Sequence, residues 1–356
     1  MNGKSFLGFQ RGFGLVEVIV GLVLGMIGSL VVLQVYSVSE GYKRTSTGSG
    51  DAQQNGALAL FAIERDVRRG GYGLTDIYGL DCKVQAYDEL RVGVKTFELK
   101  FSGPVVITQG AGGAPDSFTV TFASSGLIPN PAALGKAYNG TSAEFKVSQR
   151  YGFQEGDMMV AYQPGKDCSL YEVTNVPGGG LSDQIIHNSG TYENADGIRV
   201  PARFNPPGGI GIPYDAKEAV VYNLGSLPQS RTYSVSANRR LTVDDAFDTQ
   251  PTMEVADEVV NLQAQYGKDT SATPDGVVDL WDEVTPTTPD AWSRVLAVRV
   301  AVLSRSNLRE KDEVTATPGI ELWPGGPSHA IDAEARHFRY RTYETVVALR
   351  SMIWRP

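Results

Sequence analysis

The sequence lacks the short motifs that mark common catalytic and metal-binding sites. Its three histidines are isolated, and none stands in an H-E-x-x-H arrangement or at another metal-ligand spacing. There is no G-x-S-x-G turn, and no glycine-rich stretch is followed by G-K-[ST]. We therefore expect a protein that is not an enzyme and that has no certain cofactor.

Cysteine is scarce. The chain has two, Cys82 and Cys168, and neither stands in a C-x-x-C pair, which argues against a zinc site or a thioredoxin-like motif. Two interpretations remain open. In an exported domain the two residues would form one disulfide that closes a long loop, worth roughly 2–4 kcal/mol. Otherwise both are buried thiols. The N-terminal segment described below favours the disulfide.

The chain also lacks an excess of positive charge. Its formal net charge is −8 over 356 residues, so we expect no nucleic-acid binding. Hydrophobic residues make up 42% and charged residues 20%, as in ordinary globular domains. The 40 glycines and 19 prolines favour many turns and short strands.

A long apolar run begins near the N-terminus. Residues 1–12 are short, polar and basic, and residues 13–38 are apolar except for a few polar residues and one acid, Glu17. About 20 apolar residues span a bilayer as a helix. A cleaved secretory signal would need a small-residue cleavage site, and no convincing one follows. A plain signal anchor fits the length, with Lys4 and Arg11 kept inside, but it leaves Glu17 unexplained.

The segment RGFGLVE (11–17) resembles the type IV prepilin signal: a basic leader, glycine, then phenylalanine, with glutamate fifth after the cut. The resemblance implies that a prepilin peptidase removes residues 1–12 by cutting between Gly12 and Phe13, and that the new amine of Phe13 is methylated. A buried carboxylate needs an opposite charge. By the same resemblance, Glu17 pairs with the Phe13 amine of the adjacent pilin and sets the axial register.

The apolar run predicts a helix over residues 13–38 that lies in the membrane or in the core of a fibre. Gly21 and Gly25 form a G-x-x-x-G pair, which lets helices approach closely in lipid; simple tolerance of glycine in membrane helices is the alternative. Many major pilins carry a kinking proline here. This stretch has none, so that kink is not carried over.

Residues 39–73 continue the helical pattern. A stretch within them, STGSGD at 46–51, is a soft spot, where the helical pattern is weak. We expect residues 39–73 to be the periplasmic half of one long helix, which Gly70 and Gly71 terminate. Its end, LFAIERDVRRGGYG, also resembles the corresponding segment of PilW-type minor pilins.

Residues 74–356 predict a β-rich globular head. Short strand-like stretches separated by glycine- and proline-rich loops are FELKF (97–101), SFTVTFA (117–123), DMMVAYQ (157–163) and EAVVYNLG (218–225). TYSVSANRRLTVDD (232–245) predicts a hairpin with Asn238 and Arg239 at its turn, and DEVVNLQAQYG (257–267) fits a helix or a strand. We expect an α+β, type IV pilin-like fold: a long N-terminal helix packed on a mainly antiparallel sheet, with an enlarged β-rich insertion.

Two further stretches, AWSRVLAVRVAVLSRS (291–306) and RHFRYRTYETVVALRS (336–351), predict strands. In the first, Leu296 and alternate residues after it are expected to face the core. The pair resembles the final strands of PilW-type minor pilins, which leaves residues 80–255 largely unmatched.

The stretch YGKDTSATPDGVVDLWDE (266–283) is rich in acids. Asp269, Asp275 and Asp279 are candidate calcium ligands, because calcium prefers several oxygens on a loop with a sharp glycine turn. Ser271 and Thr273 stand where further acids would be expected, so the EF-hand spacing is not met. The other interpretation is a solvated acidic turn.

The resemblance implies a minor pilin that takes part in type IV pilus assembly, in priming or in a tip complex. Its partners would be the prepilin peptidase, other minor pilins and the major pilin. It would lie in the inner membrane with a periplasmic head before assembly, and afterwards in the fibre or at the cell surface. A minor pseudopilin of a type II secretion system and a pilus-tip adhesin are the alternatives.

Overall fold

The computed structural model describes residues 12, 14–74, 82–125, 131–177, 183–194 and 196–353. Helix α1 (Leu15–Val67) is followed by a β-rich head that contains two short helices, α2 (Pro289–Ser293) and α3 (Arg350–Ile353). Single 3₁₀ turns lie at Ala111–Gly113 and Ala335–His337. The strands are β1 (Val84–Tyr87), β2 (Thr96–Leu99), β3 (Val105–Thr108), β4 (Ser117–Phe122), β5 (Ala132–Ala133), β6 (Glu144–Val147), β7 (Met158–Tyr162), β8 (Cys168–Glu172), β9 (Asp183–Ile186), β10 (Thr191–Glu193), β11 (Arg199–Pro201), β12 (Val220–Gly225), β13 (Gln229–Val235), β14 (Leu241–Asp245), β15 (Met253–Ala256), β16 (Val259–Lys268), β17 (Leu280–Asp282), β18 (Val295–Arg305), β19 (Gly319–Glu321), β20 (Ser328–Ala330) and β21 (Tyr340–Ala348).

Helix α1 is continuous over 53 residues, which corresponds to about 80 Å. The predicted soft spot at 46–51 was wrong. Glycine weakens an isolated helix, but here Gly48 is buried with Ser306 beside it, so packing on the head holds the segment helical. The predicted end was right: the helix stops at Val67, and Gly71 adopts a φ of 83° that turns the chain away.

Three larger sheets build the head. Their strand orders are β2-β1-β8-β7-β12-β5, β15-β14-β13-β4-β3 and β17-β16-β18-β21. Within the described ranges, every strand pairing is antiparallel except that of β1 with β8. The long helix and the mainly antiparallel head confirm the predicted α+β, pilin-like fold class.

The predicted hairpin at 232–245 is confirmed, because β13 pairs with β14 and Arg239 takes a φ of 59° in the turn. The ambiguous segment at 257–267 is a strand, β16. The stretch at 291–306 begins with the end of α2 and then forms β18.

Strand β18 differs from its expected one-sided burial. Both its faces are buried except at Arg299 and at its last residue, Arg305, because Leu322 and Trp323 cover the side away from α1. The Arg299 guanidinium stacks 4.4 Å from the ring of Trp281. A central strand with both faces covered carries apolar residues at nearly every position, so its alternation is a weak signal.

In its described residues the head has two large hydrophobic cores, besides the small cluster of Ala301, Leu322 and Trp323. The main core joins α1 to the sheets through residues such as Ile63, Phe118 and Val300. A second core contains Tyr138 and Tyr171 and is built from residues between positions 132 and 221. This second core is the centre of the expected β-rich insertion.

The predicted disulfide is confirmed. Cys82 and Cys168 are bonded, with their Cα atoms 5.7 Å apart and 86 positions between them in sequence. Both are buried, and the bond lies where β1 pairs with β8, Val84 being opposite Cys168. It therefore ties the chain that follows α1 to the β8 strand of the insertion.

Candidate functional site

The N-terminal end of α1 carries the predicted assembly residues. Gly12 is exposed, and Phe13 lies outside the described residues, so cleavage and methylation there stay predictions. Gly14 precedes the helix, and its N–H donates to the Glu17 carboxylate over 3.2 Å. A first-turn carboxylate is favourable at the positive end of a helix dipole. Glu17 is exposed and, within the described part of the chain, has no cation at ion-pair distance.

The first half of α1 is an uncovered apolar surface. Its large apolar side chains from residue 15 to residue 38 are between 49% and 79% exposed. By length and composition this helix can cross a membrane. An apolar surface of this size needs a membrane or a partner to cover it.

Gly21 and Gly25 lie one turn apart on this surface. A Cβ added to either would meet nothing within 4 Å. Gly21 and Gly25 are therefore solvent-exposed in the structure, and their role in helix packing stays a prediction.

The second half of α1 packs on the head through small residues. Gly48, Ala52, Gly56 and Ala59 are buried at intervals of three or four positions, so they share one face. A Cβ on Gly56 would overlap the ring of Tyr343 on β21. The small stripe thus lets the helix lie directly against the sheet.

Hydrogen bonds also hold α1 to the head, in the N-terminal part of the contact between them. The Ser304 hydroxyl donates to the Ala52 carbonyl over 2.8 Å. The Thr45 hydroxyl donates to the Glu310 carboxylate over 3.1 Å. These contacts join β18 and the chain after it to α1.

A buried acid fastens the last turn of α1. The Asp66 carboxylate is fully buried and accepts hydrogen bonds from the Tyr233 hydroxyl at 2.6 Å and from Arg231 at 2.8 Å. Burial alone would raise the pKa of Asp66, but the hydrogen bonds from Tyr233 and Arg231, with the charge of Arg231, hold it below its usual value. The carboxylate is therefore ionised, and it ties α1 to β13.

The acidic loop forms a hydrogen-bonded turn. Asp269 is buried and accepts three backbone N–H groups of the same loop, 2.9–3.0 Å away. Asp275 accepts the N–H of Val277 at 2.9 Å, and Asp279 accepts the N–H of Thr270 at 2.8 Å. The loop's own donors therefore occupy oxygens of all three candidate ligands.

The backbone hydrogen bond from Gly276 is the chief cause that lowers the pKa of Asp269. In the described ranges, no group of three or more His, Cys, Asp or Glu side chains is placed to hold a metal ion. Calcium binding by Asp269, Asp275 and Asp279 stays a prediction, as does the alternative of a solvated acidic turn.

The histidines lie apart from one another. His187 is buried against aromatic rings, that of Tyr171 being 4.1 Å away between centroids. The His329 ring nitrogen lies 3.2 Å from the Asn261 amide, and that of His337 lies 3.1 Å from the Glu310 carbonyl. Each occupies a separate place in the head.

Sequence reasoning missed the groups that hold α1 to the head. Asp66 and Arg231 are 165 positions apart, so no local pattern joins them. A charged residue on the buried face of an amphipathic helix is the one signal that could have pointed to Asp66, because such a charge needs a buried partner.

The geometry defines a class of protein. A long N-terminal helix is apolar and uncovered over its first half and packs on an antiparallel head over its second half. This is the arrangement of a type IV pilin-like protein. Such a helix also indicates membrane anchoring.

Residues 230–351 match the family model PilW, described as type IV pilus-assembly protein W. The match covers the C-terminal part of the chain, less than half of it, and it supports a PilW-family protein involved in type IV pilus assembly. The match confirms the resemblance to the PilW family that the final strands indicate. It also covers residues 230–255, which belong to the stretch that this resemblance left largely unmatched. No curated protein and no solved structure gives a significant match.

The matched segment coincides with the part of the head that holds α1. Four strands that pack against the helix, β15, β16, β18 and β21, lie within residues 230–351. Arg231 and Tyr233, which bind Asp66, also lie within it. The second core, from 132 to 221, lies outside it.

Proposed function

We propose that this chain is a non-enzymatic minor pilin that takes part in the priming or tip complex of a type IV pilus. The observation that carries the proposal is Glu17, an exposed carboxylate in the first turn of an uncovered apolar helix. A lone charge there is costly in a membrane or a fibre core unless a cation from another molecule neutralises it.

The cation proposed for Glu17 is the N-terminal amine of Phe13 on a neighbouring pilin. That amine does not exist until a prepilin peptidase cuts between Gly12 and Phe13. Before the cut the leader stays on the precursor, which remains in the inner membrane with its head in the periplasm. After the cut the subunit docks among other minor pilins or the major pilin.

The rigid attachment of α1 to the head supports this role. The buried stripe of small residues and the Asp66–Arg231 pair fix the helix to the sheet. Docking through Glu17 therefore also fixes the height at which the head lies along the fibre. The head can then make lateral contacts with its neighbours in a defined register.

The test uses Glu17→Gln in a strain that lacks the wild-type gene. We expect the mature N-terminus to appear as in the wild type while piliation falls sharply, because the docking charge is gone. Glu40→Gln is the matched control: it removes a carboxylate from the same helix, one paired with Arg44 at 3.6 Å outside the apolar run, and piliation should persist. Normal piliation in Glu17→Gln would refute the docking role.

Deletion of the gene separates this role from adhesion. A minor pilin needed for assembly gives loss of piliation on deletion. If pili persist and only attachment fails, the second core outside the family match, with its surface loops, becomes the functional part and the chain is a tip adhesin.

A further inference from the structure

A cleft of about 640 Å³ opens beyond the C-terminal end of α1. Arg68, Arg69 and Arg350 line it together with Tyr72. The first two follow the helix, and Arg350 begins α3. The hydroxyl of Ser351 donates to the carbonyl of Gly70 over 2.6 Å, so α3 is fastened to the end of the helix and the three arginines converge.

Two of these arginines have no carboxylate partner in the described part of the chain. Arg68 pairs with Glu64, whereas the Arg69 guanidinium lies 4.2 Å from the centroid of the Phe122 ring. Arg350 is exposed. The helix dipole favours cations at a helix C-terminus, which accounts for Arg68 and Arg69, but Arg350 belongs to another element. Among the described residues, positive charge without a carboxylate partner therefore collects here, in a chain of net charge −8.

The cleft lies at the end of α1 that is far from its apolar first half. Helix α1 runs about 80 Å from Leu15 to Val67, and the cleft follows its last turn. A subunit anchored by the first half of α1 thus holds this cleft far from the lipid surface, so a lipid headgroup is not its ligand.

The rim of the cleft has the composition of a protein interface. Tyr72 is 42% exposed and Leu227 is 71% exposed. The Leu227 N–H donates to the hydroxyl of Ser124, which lines the cleft, over 2.7 Å. Arginine and tyrosine beside exposed aliphatic surface are typical of the residues that dominate protein–protein binding.

We propose that this cleft binds an acidic segment of the pilus subunit that lies beyond this one in the fibre. Arg69 and Arg350 pair with carboxylates of that segment, because a guanidinium matches a carboxylate in a two-pronged hydrogen bond. The inference rests on the proposed function, since a neighbour beyond the distal end exists only for an assembled subunit.

The first experiment is done in cells with the full chain. Benzoylphenylalanine in place of Tyr72 should crosslink to an Asp- or Glu-rich peptide of another pilus subunit. The Arg69→Glu/Arg350→Glu pair should reduce that crosslink about tenfold or more, because both charges are reversed. Lys100→Glu/Lys136→Glu is the matched control; it makes the same charge change at exposed lysines elsewhere, and the crosslink should persist.

A second crosslinking position distinguishes the two proposals. Benzoylphenylalanine at Leu24, on the apolar half of α1, reports helix docking independently of the cleft. Crosslinks from Leu24 without any from Tyr72, or a Tyr72 crosslink that the double arginine variant leaves unchanged, overturn the cleft while the minor-pilin role stands. If neither position gives a crosslink and piliation is normal after gene deletion, the cleft proposal and the minor-pilin proposal are both overturned.

The second experiment determines which class of ligand the cleft binds. It uses purified full-length protein in detergent micelles. A fluorescent hexaglutamate peptide should bind, and the double arginine variant, used at a temperature at which it is folded, should weaken its binding about tenfold. If inorganic phosphate displaces the peptide at equal concentration, or if a DNA fragment binds more tightly than the peptide through the same arginines, the acidic-segment proposal is wrong.

Discussion

The carboxylate of Asp66, in the last turn of α1, lies 2.6 Å from the hydroxyl of Tyr233 on β13. Arg231, two residues before Tyr233, lies 2.8 Å from the same carboxylate and 3.4 Å from Asp245. The end of the long helix is therefore held by a buried carboxylate, whose ion-pair and hydrogen-bond partners both lie in the segment that matches the PilW family.

Removal of one partner of this pair should strongly destabilise the head. Asp66→Asn removes one of the two carboxylates that pair with Arg231 and weakens two hydrogen bonds to a charged group, each worth about 1.5–3 kcal/mol. Tyr233→Phe removes only a hydrogen bond to a charged group and should cost about 1.5–3 kcal/mol. Urea unfolding of the purified protein in detergent measures both.

Arg240→Ala is the control for these variants. Arg240 pairs with Glu254 and Asp257 on the surface, and exposed pairs contribute about 0–1 kcal/mol. If Asp66→Asn unfolds at the same urea concentration as Arg240→Ala, the Asp66 contact does not hold the helix.

Gly56→Ala should destabilise the contact between helix and sheet. The new methyl group would overlap the Tyr343 ring and lie 2.7 Å from the Ser304 hydroxyl, and overpacking of this kind costs about 1–3 kcal/mol. Gly50→Ala is matched to it, since Gly50 lies in the same helix with open space around it. That change should stabilise the protein by about 0.5–1 kcal/mol through helix propensity. Thermal unfolding should shift in opposite directions; equal shifts would contradict the packing described.

The stability of the protein should decrease as the pH is lowered below 6.5, because of the buried residue His187. Burial lowers the pKa of His187 from 6.5 to about 3, and in the described structure its Nε2 atom has no hydrogen-bond partner. Between these two pH values the unfolded chain binds a proton there and the folded chain does not. Stability is therefore unaffected above pH 6.5 and decreases as pH falls towards 3, by up to about 1.4 kcal/mol per pH unit.

His187→Phe should remove this part of the pH dependence. The wild type and the variant are compared by urea unfolding between pH 6.5 and pH 5. Asp66 does not interfere there: its folded pKa is lowered, so its contribution is lost only as pH falls below the usual carboxyl range. Identical slopes in the two proteins would show that His187 is not buried in its neutral form.

Calcium should leave the melting temperature of the protein unchanged. The carboxylates of Asp269, Asp275 and Asp279 already accept hydrogen bonds from their own loop, and among the described residues no three such side chains are placed to hold a metal ion. Melting curves with calcium and with chelator give the comparison. A rise with calcium that Asp279→Asn abolishes would instead establish the metal site.

The parts of the fold that the sequence predicts are those with local signals. The apolar run that begins α1, the Gly70–Gly71 stop, the Asn238–Arg239 turn and the two late strands each depend on neighbouring residues. The disulfide was predictable because two cysteines in an exported domain have only each other.

The parts that the sequence does not predict depend on distant residues. Continuity of α1 through Gly48 requires Ser306, more than 250 positions away, and local propensity alone indicates a break. The second core and the order β2-β1-β8-β7-β12-β5 arise from crossovers that leave no periodic pattern. Of the candidate site, the place of Glu17 at the start of the apolar helix follows from local pattern and its role stays a prediction, whereas the Asp66–Arg231–Tyr233 contact was not predictable.

In the proposed function, cleavage at Gly12 creates a pilin N-terminus whose helix docks through Glu17. Mass spectrometry of the chain recovered from cell membranes shows whether that N-terminus exists. The predicted result is a mature protein that begins with N-methylated Phe13. An intact leader, or a first residue beyond position 30, would contradict the account.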